Sequence, residues 1–146
     1  MLKEGDKAPD FTLIADTGEK ISLKNFRGKK IILYFYPKDN TSGCTAEACD
    51  FRDNIKVFEK KNAVIIGISK DSIESHKKFK SKYKLPFLLL SDENIEVLKK
   101  YNVWKEKSLY GKKYMGIERT TFIINEEGII EKIFSKVKVK GHIEEF

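Results

Sequence analysis

IILYFYPKDNTSGCTAEAC, residues 31–49, decides the reading of this chain. Its first six residues are apolar or aromatic and are bounded by Lys29-Lys30 and Pro37, the pattern of a strand covered on both faces. A Pro/Gly turn follows, and from Gly43 to Lys61 the apolar residues Ala48, Phe51, Ile55 and Phe58 recur at helical spacing. A second apolar run at 63–69 completes a strand–helix–strand unit, which implies a parallel crossover and puts residues 31–36 in the middle of a sheet.

Working outward, the segments around 11–14 and 20–23 flank Asp16-Thr17-Gly18-Glu19 and predict an N-terminal hairpin. Asp71, Ser72, Glu74 and Ser75 open a helix running through Tyr83, and Pro86 starts an extended stretch at 87–90. Ser91, Asp92 and Glu93 introduce a short helix to Tyr101. Residues 103–116 read as a loop. The runs 120–125 and 129–134, joined by Glu126-Glu127-Gly128, form a second hairpin, so the sheet is mixed. No repeat or flexible linker interrupts the pattern, and residues 1–146 are expected to form one α/β domain.

Composition narrows the function. With 146 residues the chain can bury a core without disulfides or metals. Its two cysteines are too few for a disulfide framework, and no N-terminal apolar segment resembles a secretion signal, so a reducing cytoplasm is the expected setting. The longest apolar stretches fall far short of the roughly 20 residues that span a bilayer. The formal charge of +7 comes from lysines scattered over solvated helix faces, as in 75–83, and is read as a solubility feature, with no nucleic-acid partner. High Lys, Glu and Ile with little Met is also a composition met in heat-adapted proteins.

Chemistry concentrates at Cys44 and Cys49. Cys44 falls where the strand's chain turns into a helix, at a helix start whose unpaired N–H groups favour an anion. A thiol of ordinary pKa, near 8.5, is only a few per cent ionised at neutral pH, and the thiolate is the nucleophile. A guanidinium nearby favours the ionised form, and Arg119 is the candidate. It precedes the strand at 120–124, which as an antiparallel neighbour of 31–36 brings Arg119 beside Cys44. On a regular helix, residues five apart are about 8.6 Å apart between Cα atoms. A disulfide needs under about 7 Å, so bonding Cys44 to Cys49 requires the helix to unwind. Buried inert cysteines are the bland alternative. Structural zinc needs four ligands, and only the distant His76 and His142 accompany the cysteines, so neither a metal nor another cofactor is expected.

These residues resemble the peroxiredoxins, specifically the bacterioferritin comigratory protein or peroxiredoxin Q branch. The resemblance is carried by GDKAPDF at 5–11, YFYP at 34–37, Thr41, Cys44, Thr45, Glu47 and Cys49, Leu90-Ser91-Asp92, and Gly116, Ile117, Arg119 and Phe122. It implies a thioredoxin-like fold, with a central mixed sheet flanked by helices, and hydroperoxide reduction.

Carried onto this chain, the resemblance makes Cys44 the peroxidatic cysteine and Cys49 the resolving one, closing an intramolecular disulfide. Thr41 would hydrogen-bond peroxide and thiolate, Arg119 would hold the thiolate and departing oxygen, and Pro37 would shield the thiolate. The backbone at Gly43 and Cys44 completes the pocket, and Glu47 would orient Arg119. A thioredoxin or similar dithiol protein would recycle the disulfide, with the enzyme acting as a monomer. Ser42 stands where the family usually has proline, leaving the loop freer. Relatives continue past Phe146 into a longer helix, so a shortened chain is an expectation. A general thiol–disulfide oxidoreductase and a basic binding module are the rivals. The first normally uses Cys-x-x-Cys, which is absent.

Overall fold

Residues 2–146 are described by a computed structural model. The N-terminal hairpin pairs β1 (Thr12–Ala15) with β2 (Lys20–Ser22), its turn lying at Asp16-Thr17-Gly18-Glu19 as expected. The sequence then runs through β3 (Lys30–Phe35), α1 (Ser42–Asp53), α2 (Ile55–Lys60), β4 (Ala63–Ser69), α3 (Ile73–Tyr83), β5 (Leu88–Ser91) and α4 (Glu96–Lys100). It closes with β6 (Trp104–Leu109), β7 (Lys112–Ile117), β8 (Thr120–Ile124), β9 (Ile130–Phe134) and a 3-10 turn at Ile143–Glu145, a further 3-10 turn at Leu23–Phe26 having followed β2.

Seven strands form one mixed sheet in the order β2-β1-β5-β4-β3-β8-β9. β3 pairs parallel with β4 and antiparallel with β8, so both its edges are occupied. Its unbroken apolar sequence follows from two buried faces. Ile31, Leu33 and Phe35 point to a core shared with Val97, Leu98 and Tyr101 around α4. Ile32, Tyr34 and Tyr36 point the other way, into a core containing Ala48 and Phe51 of α1, Phe58 of α2 and Phe79 of α3. Alternation of side chains across the strand sorts one apolar run into two cores. Phe51 is fully buried, and truncating such a side chain costs about 3–5 kcal/mol.

Two expectations need correction. The helical pattern at 43–61 is two helices, because the chain turns at Asn54, whose side-chain amide donates 2.8 Å to the Asp50 carbonyl and competes with continuation of the helix. The stretch 103–116 is a hairpin, β6 against β7 in register from Trp104↔Ile117 to Leu109↔Lys112. Its turn residues Tyr110 and Gly111 both have positive φ, the requirement of a two-residue hairpin turn. The strands are largely exposed and carry lysines instead of an apolar face, which removes the usual signal.

α1 is fastened at its far end as well: Arg52 Nη1 donates 2.7 Å to the Tyr83 carbonyl at the end of α3. No helix among the described residues is long and apolar enough to cross a membrane.

Candidate active site

The antiparallel register Phe35↔Thr120 carries the residue before Thr120 to the end of β3 where the chain turns toward α1. Arg119 therefore meets α1. Its Nη2 donates to Cys44 Sγ at 3.4 Å and its Nη1 donates to Glu47 Oε1 at 2.6 Å. Thr41 is the N-cap of α1, so Cys44 is the third helical residue, where backbone N–H groups have no acceptor within the helix. Cys44 is 2 % exposed and packs in the core of Tyr34, Ala48 and Phe51.

Glu47 lies three residues further along the same face, and its side chain is 2 % exposed. Burial pushes its carboxyl up to about 7, against the pull of the Arg119 charge and hydrogen bond, with Asp50 adding to the rise. For Arg119 burial disfavours the charge, but Glu47 and Cys44 more than reverse this, and the guanidinium stays cationic. Three buried side-chain atoms at or beside this site, Tyr34 Oη, Thr45 Oγ1 and Glu47 Oε2, have no hydrogen-bond partner among the described residues. Burial and then the charges of Glu47 and Cys44 push the Tyr34 phenol well above its ordinary value.

Gly43 has a spatial reason. A β-carbon there would lie 3.2 Å from Arg119 Nη2, so the bare backbone makes room for the guanidinium. Pro37, half-buried, follows β3, and the Thr41 hydroxyl donates 2.8 Å to the Lys38 carbonyl. Cys44, Gly43, Glu47 and Arg119 thus converge, while Thr41 and Pro37 belong to the loop leading in. Cys49 stands apart, a half-buried free thiol on the same unbroken helix as Cys44. Regular helical geometry separates them by about 8.6 Å, beyond bonding range.

The sequence alone does not point to one charged neighbour. Burial and the Arg119 charge push the Lys107 amine down from its ordinary value, while Cys44 and Glu118 pull it upward. Lys107 lies on β6, within the stretch that reads as a loop, so no strand pattern singles it out. Asp39, Asp71 and His76 bring ligand-type atoms within 4.8 Å of one another. Those atoms are occupied by hydrogen bonds from the protein itself.

A buried thiol held between a helix start and a guanidinium, at the end of a central strand of a mixed α/β sheet, defines a cysteine-based redox enzyme of thioredoxin-like fold. The AhpC/TSA family matches residues 4–133. A putative peroxiredoxin bcp of Coxiella burnetii is 56% identical over 144 residues, covering 99% of this chain and 95% of the relative. Peroxiredoxin Bcp of Bacillus subtilis is 55% identical over 144 residues, covering 99% and 92%. Among solved structures, the bacterioferritin comigratory protein of Xanthomonas campestris, described with its alkyl peroxide reduction activity, superposes with a TM-score of 0.88 at 39% identity, covering 92% of this chain and 86% of that one. The chain belongs to the AhpC/TSA family, in its bacterioferritin comigratory protein or peroxiredoxin Q branch, and is a thiol-dependent peroxidase.

Proposed function

We propose that Cys44 is the peroxidatic residue and Cys49 the resolving one. The Cys44 thiolate attacks the terminal oxygen of a hydroperoxide; an S–O bond forms, the O–O bond breaks, and the departing oxygen takes a proton to leave as water or alcohol. Cys44 is oxidised to a sulfenic acid. The Cys49 thiolate then attacks that sulfur, the S–S bond forms, and hydroxide leaves and is protonated to water. Two thiols and one hydroperoxide give one disulfide, one water and one water or alcohol.

The observation that carries this reading is the Arg119 guanidinium set between Cys44 Sγ and Glu47. It donates to the attacking sulfur and is positioned to stabilise charge on the breaking O–O bond. Glu47 orients Arg119, Gly43 leaves space for it, Pro37 screens the sulfur, and the hydroxyl of Thr41 accepts from the peroxide. Hydrogen peroxide and organic hydroperoxides are the substrates; the alkyl peroxide reduction ascribed to the Xanthomonas campestris relative supports the second class. A thioredoxin-like dithiol reductant restores the thiols, and the protein, taken as one domain over 1–146, acts as a cytoplasmic monomer with no nucleic-acid partner; these finer assignments rest on the family resemblance.

The test is thiol counting after one equivalent of hydrogen peroxide. Loss of both thiols within seconds, with an internal disulfide by non-reducing mass measurement, is the expected result. Cys49→Ser is expected to perform one turnover and retain a sulfenic acid. Unchanged thiols in the parent would refute the assignment.

A further inference from the structure

The His76 side chain is fully buried, and both of its ring nitrogens are engaged. Nε2 lies 2.9 Å from the Leu90 carbonyl oxygen, which can only accept, so Nε2 carries hydrogen. Nδ1 lies 2.7 Å from Asp39 Oδ2, in the loop between β3 and α1. The same Asp39 carboxyl accepts from Tyr36 Oη at 2.6 Å and from Ser75 Oγ at 2.8 Å, and the Asp39 backbone N–H donates 2.8 Å to Asp71 Oδ2. Four bonds from three parts of the chain therefore converge on one loop residue.

The next residue is tethered too. Asn40 has a left-handed backbone, φ 60°, and its Oδ1 accepts from Tyr83 Oη at 3.2 Å and Lys82 Nζ at 3.4 Å. Thr41, immediately after, is the N-cap of α1. The position of Cys44 beside Arg119 is thus set from upstream by a loop pinned to α3. A metal reading of Asp39, Asp71 and His76 is weaker, because each of the three already has protein hydrogen-bond partners that an ion would have to replace.

The pinning bears unequally on the two chemical steps. Peroxide attack needs Cys44 wound into α1 beside Arg119, whereas disulfide closure needs the first turns of α1 undone. An anchor on the wound arrangement favours the first and opposes the second. We propose that His76 acts through Asp39 as a positioning residue that holds the 37–41 loop and sets the balance between peroxide attack at Cys44 and disulfide closure with Cys49. This rests on the roles assigned to the two cysteines under the proposed function.

Two substitutions separate the loop contact from a purely structural one. The amide nitrogen of Asn overlays the Nδ1 position of His, and that of Gln overlays Nε2. His76→Asn thus keeps a donor to Asp39 and loses the Leu90 bond, while His76→Gln does the reverse. Attack is measured as thiol loss to hydrogen peroxide in a Cys49→Ser background. Closure is measured as the rate of internal disulfide appearance after sulfenic acid formation in the two-cysteine protein. His76→Gln is expected to slow attack about tenfold to a hundredfold, as misplacement of a reacting group does. It should also quicken closure about threefold. His76→Asn should stay near the parent in both. Both steps slowing together, neither changing, or the two variants behaving alike would overturn the inference. Should His76→Gln fail to fold, Asp39→Asn, which keeps the shape and removes the charge, is scored on the same two rates. A parent that leaves its thiols intact under peroxide would sink the cysteine assignments; a normal parent with unsplit variants sinks only this role for His76.

Discussion

Two buried polar groupings flank the loop from β3 to α1, and they are completed differently. Around Asp39 both carboxyl oxygens are occupied and both His76 nitrogens have partners. Around Arg119, only 3.4 Å from the Cys44 sulfur, Glu47 Oε2, Tyr34 Oη and Thr45 Oγ1 are left without partners among the described residues. Buried polar atoms are nearly always paired in folded proteins, because an unpaired one costs about 1–3 kcal/mol. The closed grouping is what an anchor requires. The open one keeps unspent hydrogen-bonding capacity where charge moves, at a cost the rest of the fold must carry.

Breaking the open side should produce the largest effects. Cys44→Ser is expected to abolish peroxide consumption, bringing the measured rate to that of buffer, because no other thiol sits beside Arg119. Arg119→Ala comes next: loss of one preorganised donor typically costs about 10²–10³ in rate, read here as slower thiol loss under excess peroxide. Arg119→Lys should recover only part of this, since one ammonium cannot reach sulfur and carboxyl with separate planar donors.

Gly43→Ala separates activity from stability. Its new β-carbon would press on Arg119 Nη2 at 3.2 Å, and we expect attack slowed about tenfold by the displaced guanidinium. Thermal unfolding should nevertheless hold or improve slightly, because Ala favours a helix over Gly by roughly 0.5–1 kcal/mol. A variant that loses stability and rate together would contradict the spatial account of Gly43.

The smallest effect concerns pH. Glu47 is raised from 4.5 to about 7, so between those values the folded protein binds a proton that the unfolded chain does not. This contribution to stability is fully present below the unfolded value and is lost as pH rises through about 7. Denaturation midpoints across pH 5 to 8 should therefore fall less steeply in Glu47→Gln, which keeps an acceptor for Arg119 without titrating. Identical slopes in variant and parent would remove Glu47 from the pH dependence.

Much of this arrangement is legible in residues 31–49. A continuous apolar run announces β3, and the apolar run of β8 announces a second buried strand whose antiparallel pairing with β3 brings Arg119 to Cys44 across 75 residues of chain, because burial on both faces specifies the register. The hairpin of β6 and β7 is invisible, since its strands pack against little and need no apolar alternation. With it goes Lys107. The role of His76 is hidden for another reason: its bonds to Asp39 in a loop and to the Leu90 carbonyl in a strand are polar contacts that no apolar periodicity encodes.

Tyr83 gives one further consequence. Its hydroxyl meets Asn40 just before α1, and its carbonyl takes Arg52 near the helix's end. A single residue thus clips both ends of the span bearing the two cysteines. The loop before Cys44 and the helix beyond Cys49 are therefore referred to the same point of α3, so a shift of Tyr83 would reach both ends of that span together.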